Sequence, residues 1–563
     1  MSSEKIFLAL LPFWTPLIPP TGLSSLKGFL QRHGFRVKVV DLSIDAQLKE
    51  FSSRYFNTLN AHIPENKRGN FFSIVNDVLR NQMMAHLNYE DEKDYLELVN
   101  ILIYKTFFVN VEEAVVLELR DIIDGFYNRL ENCFFEFMDK EKPGVLGLTV
   151  YSDTLPASMF IFKRTREKYP HINTVMGGGV FADLLAVGSP NLDFFLEKTA
   201  GYIDKIIVGE GENLFLKLLR GELPENRRLY TLTDIHGETL DISTVEPLDL
   251  SDFDLGKYPY LVSYTSRSCP FQCNFCSETV QWGKYRKKSP QQIVGELKEL
   301  RARHGSQLFL LSDSLLNPVI TDLAKELIKS EESIYWEGWL RADAMVCDIQ
   351  NTLLWRRGGF YHARIGAESG SPAVLEAMNK KITPQQIKDA LFSLSQAGIK
   401  TSTLWIVGYP GETEADFRQT LDLIEELREV IYEAEGTPFW YFLTGQSNSG
   451  EWAGKFPHLL LYPEEAKDML ITQTWILDCD PPREEIYRRL NRFARHLRKL
   501  GIPNLYSMRD IYEADERWEK LHKNAVPAFV RFKNTDVRID ENKRVKSISF
   551  AQNTLRKDMD FAF

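Results

Sequence analysis

Residues 261–276 read LVSYTSRSCPFQCNFC, a short β-prone run that ends in a loop with three cysteines in eight residues. Cys269, Cys273 and Cys276 have the spacing C-x-x-x-C-x-x-C, whereas Cys133, Cys347 and Cys479 stand alone among apolar or mixed neighbours. Six cysteines in 563 residues are too few for a disulfide framework, so a clustered trio reads as metal binding. A structural zinc site takes four protein ligands, usually in paired spacing. No fourth Cys or His lies near this loop, the nearest downstream candidate being His304. Three thiolates on one short loop suit instead a 4Fe-4S cluster in which one iron lacks a protein ligand and stays open to a small molecule.

Downstream of the loop the hydrophobic pattern alternates between strand and helix periods. It predicts strands at 261–266, 307–312, 335–341, 362–367 and 401–407, and helices at 290–304, 319–330, 348–357, 372–378, 384–397 and 414–431. About six strand-helix units suit a partial barrel better than a closed eightfold one, here over 257–431. Residues 432–563 are mixed, with a helix expected at 484–500 and a terminal hairpin at 528–533 and 545–550.

Upstream, residues 1–230 read as a doubly wound α/β domain. Strand 5–12 leads through a proline-rich loop to Thr21-Gly22, helix 23–33 and strand 35–41. After an interruption come strand 144–150, helix 156–168, strand 174–176 ending in Gly177-Gly178-Gly179, and strand 203–208 running into Gly209-Glu210-Gly211-Glu212 and helix 213–220. The interruption, 48–140, has helical spacing and predicts an insertion of helices; 231–256 reads as a linker. The fold class expected is therefore a multidomain α/β chain.

Composition narrows the partners. With 44% hydrophobic and 26% charged residues the chain is an ordinary globular protein, neither disordered nor fibrous. A net charge of −10 gives no basic field for nucleic acid. The apolar run 6–14 is broken by Pro12, followed by Pro16, Pro19 and Pro20, and lacks a small-residue cleavage site, so it reads as a buried strand rather than a signal peptide. No window reaches the ~18 apolar residues of a membrane span. The expected location is the cytoplasm, without membrane insertion.

The cysteine loop and its context resemble the radical S-adenosylmethionine (SAM) superfamily, whose C-x-x-x-C-x-x-C loop follows the first barrel strand. Three later segments at strand ends match in order: Trp339-Leu-Arg341-Ala-Asp343, Gly366-Ala-Glu368-Ser369-Gly370-Ser371 and Gly408-Tyr-Pro-Gly411-Glu412-Thr413. The resemblance implies that Cys269, Cys273 and Cys276 hold the cluster and that SAM chelates the open iron and is cleaved to a 5′-deoxyadenosyl radical. It places Phe275 and the backbone at Gly411 beside the adenine, and makes Arg341, Glu368 and Ser369 candidates for the ribose and amino-acid end. The structural alternative is an Arg341–Asp343 pair and a turn capped by Glu368.

The segments Pro19-Pro20-Thr21-Gly22-Leu23, Gly147-Leu148-Thr149-Val150, Gly177-Gly178-Gly179 and Gly209-Glu210-Gly211-Glu212 resemble the cobalamin-binding domain that precedes the barrel in one radical SAM class. Each lies at or beyond the carboxyl end of a strand. The pattern D-x-H-x-x-G, whose His ligates cobalt, is missing, since residues 13–22 contain no His and His33 does not fit. The resemblance implies cobalamin held without that ligand, unless the domain keeps the fold and has lost the cofactor.

The reaction implied is methyl transfer from methylcobalamin to an unactivated carbon of a natural-product, amino-acid or peptide substrate, with an external flavodoxin- or ferredoxin-like electron donor. Rearrangement, cyclisation or oxidation is the alternative, and a sensor without turnover the third. Two further features point nowhere definite. Phe439-Trp440-Tyr441-Phe442 reads as core packing, and the basic face of Arg488, Arg489, Arg492, Arg495, Arg498 and Lys499 as a solvated helix.

Overall fold

The computed structural model describes residues 5–245, 247–504 and 508–522. The hairpin expected at 528–533 and 545–550 lies outside the described residues. The chain opens with β1 (Lys5–Leu10), α1 (Thr21–Arg32) and β2 (Arg36–Asp41). Four helices fill the stretch with helical spacing: α2 (Ala46–His62), α3 (Phe71–Asn88), α4 (Glu92–Phe107) and α5 (Glu113–Glu141). The alternation resumes with β3 (Val145–Thr149), α6 (Leu155–Lys168), β4 (Asn173–Gly177), α7 (Pro190–Lys198), β5 (Lys205–Ile207), α8 (Gly211–Leu219) and β6 (Leu229–Tyr230).

These strands form one parallel sheet in the order β2-β1-β3-β4-β5-β6. In β1, KIFLAL, every residue after Lys5 is buried, the run of apolar side chains that a strand covered on both faces requires. Strand order reverses between β1 and β3, and a doubly wound sheet binds its ligand outside the carboxyl ends at such a point.

The second run is β7 (Leu261–Ser263), β8 (Ser266–Arg267), α9 (Glu278–Trp282), β9 (Arg286–Lys287), α10 (Pro290–His304), β10 (Leu308–Leu311), α11 (Ile320–Ser330) and β11 (Tyr335–Leu340). It continues through α12 (Ile349–Arg357), β12 (Phe360–Glu368), α13 (Pro372–Ala377), α14 (Pro384–Gln396), β13 (Lys400–Val407), α15 (Glu414–Glu426) and β14 (Glu433–Pro438). The parallel sheet runs β14-β13-β12-β11-β10-β7, each strand beside its successor, which is the topology of a partial barrel. The strand expected over 261–266 is split: β7 joins the sheet, while β8 turns away to pair antiparallel with β9. The sixth strand, EAEGTP, escapes sequence reading because two Glu, a Gly and a Pro hide its period. Then follow α16 (Ser449–Lys455), β15 (His458–Leu460), α17 (Lys467–Leu470), β16 (Trp475–Leu477), α18 (Arg483–Leu500) and α19 (Met508–Leu521).

The described residues divide into two compact units: those of 5–258, 275–284 and 440–479 make the first, and those of 259–274, 285–439 and 480–522 the second. Inside the second, the sheet buries a charged network. The Glu337 carboxylate, fully buried, accepts from Arg364 at 2.7 and 3.1 Å, from Tyr361 Oη at 2.9 Å, and pairs with His362 Nδ1 at 2.9 Å. Burial alone would raise its pKa, but Arg364 and His362 hold it well below the usual carboxylate range. On α18 the basic face is not uniformly solvated. Arg489 is buried and donates to the Glu412 carboxylate at 2.9 Å and to Glu485 at 3.1 Å, and Arg492 pairs with Glu414 at 2.6 Å, whereas Arg488, Arg495, Arg498 and Lys499 are exposed.

Candidate functional site

In the second unit the β8–β9 hairpin brackets the cysteine loop. Its start is tied to the end of β10 by Asp313, buried, which accepts from the Thr265 N–H at 2.9 Å, Thr265 Oγ1 at 2.7 Å and Ser266 Oγ at 2.6 Å. Farther along, the Asn274 N–H donates to the Met378 carbonyl at 2.9 Å, Asn274 Nδ2 to Ala377 at 2.6 Å, and Asn379 Nδ2 to Gln272 at 2.7 Å. The backbone is thereby fixed around Cys269 and Cys273. Phe275 and Cys276 belong to the first unit, where their carbonyls accept from Gln446 Nε2 and the Ser447 N–H, each at 3.0 Å. Cys273 is buried and Cys269 half-buried, and burial raises the Cys269 thiol. Among the described residues no three His, Cys, Asp or Glu converge as a single ion would require. A cubane makes no such demand, because its cysteines ligate separate irons.

Arg341 closes β11, and its backbone is clamped both ways by Asn317: Oδ1 accepts the Arg341 N–H and Nδ2 donates to the Arg341 carbonyl, both at 2.9 Å. The guanidinium stacks over Phe271 at 4.1 Å, and Nη1 reaches Cys273 Sγ at 3.8 Å. Arg341 is 4% exposed, and its Nη2 has no partner. Asp343 accepts instead from Asn317 Nδ2 at 2.8 Å and from the Met345 N–H at 3.1 Å. A buried guanidinium without a carboxylate is costly unless an anion completes it. The thiolate loop and an anionic ligand are the partners its chemistry fits.

Glu368 ends β12 at a break in register with β13, a bulge that re-aims its side chain, and holds a left-handed φ of +62°. Its carboxylate is taken by Lys380 at 2.6 Å. The Ser369 hydroxyl, fully buried, contacts Thr420 at 3.2 Å and accepts the Ser371 N–H at 3.1 Å, so it braces the turn before α13. Gly411 donates its N–H to Asp480 at 2.7 Å and faces open space. Asn317, Lys380 and Phe271 are additions to the expected set. Each signals only through proximity in the fold, although Phe271 sits inside the cysteine motif.

In the first unit, the segments after β1, β3, β4 and β5 share the carboxyl edge of the sheet. Thr21 and Gly22 start α1, and a Cβ at Gly22 would meet nothing within 4 Å. Thr149 ends β3 and Gly177 ends β4. Val150 is sewn to the β4 turn: its N–H donates to Gly177 at 2.7 Å and its carbonyl accepts from Val180 at 3.0 Å. Gly178, at φ +117°, permits this contact, because a Cβ would stand 2.4 Å from the Val150 oxygen. Gly179 lies against the Tyr151 ring. Gly209 and Gly211 flank Glu210, whose buried carboxylate accepts the Leu240 N–H at 2.7 Å. Gly178, Gly179 and Glu210 thus have structural work, whereas Gly22 leaves room for a ligand.

Residues 263–424 match the Radical SAM superfamily. The anaerobic magnesium-protoporphyrin IX monomethyl ester cyclase of Rubrivivax gelatinosus is 27% identical over 333 residues, 54% of this chain and 58% of that protein. An uncharacterized methyltransferase of Pyrococcus horikoshii is 27% identical over 332 residues, 54% of this chain and 69% of that protein. The chain thus spans less than two thirds of the cyclase's length. Among solved structures, the radical S-adenosylmethionine methyltransferase TsrM of Kitasatospora setae, with cobalamin and a 4Fe-4S cluster bound, aligns with a TM-score of 0.54 at 14% identity over 89% of this chain and 88% of that one. The cobalamin-dependent S-adenosylmethionine radical enzyme OxsB, with aqua-cobalamin and S-adenosylmethionine bound, aligns at 0.52 and 14% over 90% of this chain and 62% of that one. The multidomain α/β fold is shared with both, and residues 263–424 form a radical SAM domain. No helix among the described residues is long and apolar enough to cross a membrane.

Proposed function

We propose that the chain is a cobalamin-dependent radical SAM enzyme that moves a methyl group from SAM, by way of cobalamin, to an unactivated carbon of a natural-product, amino-acid or peptide substrate. The observation that carries the radical SAM half is Arg341: a buried guanidinium with a free Nη2 beside Cys273, inside the segment that matches the superfamily. Cys269, Cys273 and Cys276 would hold the cluster, Arg341 the carboxylate of SAM, and Glu368, steadied by Lys380, its amino or ribose groups. Phe275 and the Gly411 backbone would flank the adenine, and Ser369 would brace the Glu368 turn. When bound, the cluster supplies the electron for reductive cleavage of SAM and the corrinoid relays the methyl group.

The cobalamin half rests on the carboxyl edge of the first sheet. Thr21, Gly22, Thr149, Gly177 and Gly209 would let the cofactor approach backbone closely, with Val150, Gly178, Gly179, Glu210 and Gly211 shaping the loops. Cobalt would take no histidine from residues 13–22, which contain none. The electron would come from a flavodoxin- or ferredoxin-like protein.

The test is the fate of methyl-labelled SAM under anaerobic reducing conditions. Label in the corrinoid fraction with S-adenosylhomocysteine, alongside 5′-deoxyadenosine, supports methyl transfer. The Rubrivivax relative, a cyclase, favours a second reading, radical ring closure without methyl transfer. Then 5′-deoxyadenosine forms and all label is recovered in methionine.

A further inference from the structure

The first unit holds a cavity of about 250 Å³ that none of the roles above uses. Its wall comes from four separate stretches: α3, the segment after β3, the segment after β4, and residues 440–475. The volume equals roughly eight waters, enough for one ring and a short chain. It opens beyond the carboxyl ends of β3 and β4, where a parallel sheet receives ligands.

The charged groups on this wall are Asp77, Arg80, Asp153 and Asp183. Asp77 and Arg80, one turn apart on α3, form an ion pair, and Asp77 also accepts from Tyr462 Oη at 2.9 Å. Asp153 and Asp183 therefore form no ion pair and share only the more distant attraction of Arg80. Asp183 accepts from Ser152 Oγ at 2.7 Å and from the Leu184 N–H, which are neutral donors. Asp153, half-buried, accepts no hydrogen bond among the described residues and has only the more distant attraction of Arg80. Burial raises both acids, Asp183 to about 6. Trp440 and Trp475 complete the wall with aromatic surface, and Thr444 Oγ1 and Trp475 Nε1 lack partners.

We propose that this cavity binds an organic cation, a protonated amine carried on a flat apolar group, with Asp153 and Asp183 as its counter-ions and the tryptophans against its apolar part. Its assignment as the end of the substrate rests on the methyl-transfer reading; the binding itself does not. An acid would be repelled, since Arg80 is already neutralised by Asp77 and two further carboxylates face the same space.

The test is calorimetric titration of the full cofactor-loaded chain with phenethylamine, 2-phenylethanol and 3-phenylpropionate, which differ chiefly in charge. The amine is expected to bind saturably and at least tenfold tighter than the alcohol, with the acid weakest. Asp153→Asn should weaken the amine toward the alcohol's affinity without lowering the melting temperature, because that side chain makes no hydrogen bond to lose. Asp183→Asn should weaken the amine as well, and the far-ultraviolet spectrum shows whether that variant is folded. Equal binding of the three probes, no saturable binding, or retention of amine affinity in Asp153→Asn would each overturn the assignment. Formation of 5′-deoxyadenosine, measured separately, reports on the radical reading, so either can fail alone.

Discussion

Gly22→Ala separates a glycine kept for a ligand from one kept for the fold. Gly22 is the second residue of α1, outside the left-handed region, with nothing within 4 Å of the position a Cβ would take. Alanine favours helix over glycine by up to about 1 kcal/mol, so the variant should be as stable as the parent or slightly more so. If cobalamin lies against this turn, the added methyl meets it instead of protein. Overpacking costs about 1–3 kcal/mol, which weakens binding roughly 5- to 150-fold. Gly178→Ala should do the reverse. Its φ of +117° and a Cβ 2.4 Å from the Val150 oxygen force the turn to move. Backbone strain of about 1–3 kcal/mol and two lost hydrogen bonds at about 1 kcal/mol each give a destabilisation of roughly 3–5 kcal/mol. The assays are hydroxocobalamin titration followed by visible absorbance and urea unfolding of the same samples. Cobalamin affinity unchanged in Gly22→Ala would mean that no ligand lies against this turn, and full stability in Gly178→Ala would mean that its glycine is not required by the fold.

Further outcomes follow from the second unit. Arg341→Met should weaken SAM binding to cluster-loaded protein roughly 10- to 150-fold, the value of a charge-assisted hydrogen bond of about 1.5–3 kcal/mol; equilibrium dialysis with labelled SAM reads it. Glu337→Gln leaves the largely enclosed Arg364 without its closest carboxylate and should lower unfolding free energy by about 3 kcal/mol in urea titrations. Burial pushes Glu433 from 4.5 up to about 7, so the folded chain keeps a proton there that the unfolded chain releases. Its effect on stability is absent below pH 4.5 and becomes unfavourable as pH rises to 7, reaching about 3 kcal/mol. Glu433→Gln should therefore stabilise at pH 8 and flatten the unfolding profile between pH 5 and 8.

Elements with a strong local period were legible in the sequence. The strands around β1, β3, β12 and β13 are continuous apolar or alternating runs, and Asp348, Thr383 and Thr413 announce α12, α14 and α15 by capping them. The cysteine loop was legible because ligand spacing is a local property. The sixth strand was not, since EAEGTP owes its pairing to β13 and not to its own residues. Lys380 and Asn317 escaped because their roles arise from contacts across 12 and 24 residues. The cavity is the extreme case, joining α3 to Trp440 and Trp475 across more than 350 residues. There Trp440, Tyr441 and Phe442 of the aromatic stretch line a void, although Tyr441 is also buried against Trp452 and Phe439 packs on Tyr409. The basic helix failed differently: its pattern is that of a solvated face, and only Glu412 in the fold draws Arg489 inside.

The most direct test is anaerobic purification of the wild-type chain and Cys273→Ala, with iron, cobalamin and 5′-deoxyadenosine measured on each. Wild-type protein should hold about four iron atoms and one cobalamin per chain and form 5′-deoxyadenosine on adding SAM and reductant. Cys273→Ala should lose the cluster and the product while keeping cobalamin. Wild-type protein that, after reconstitution with iron and sulfide, holds no cluster and yields no 5′-deoxyadenosine would contradict the radical SAM reading.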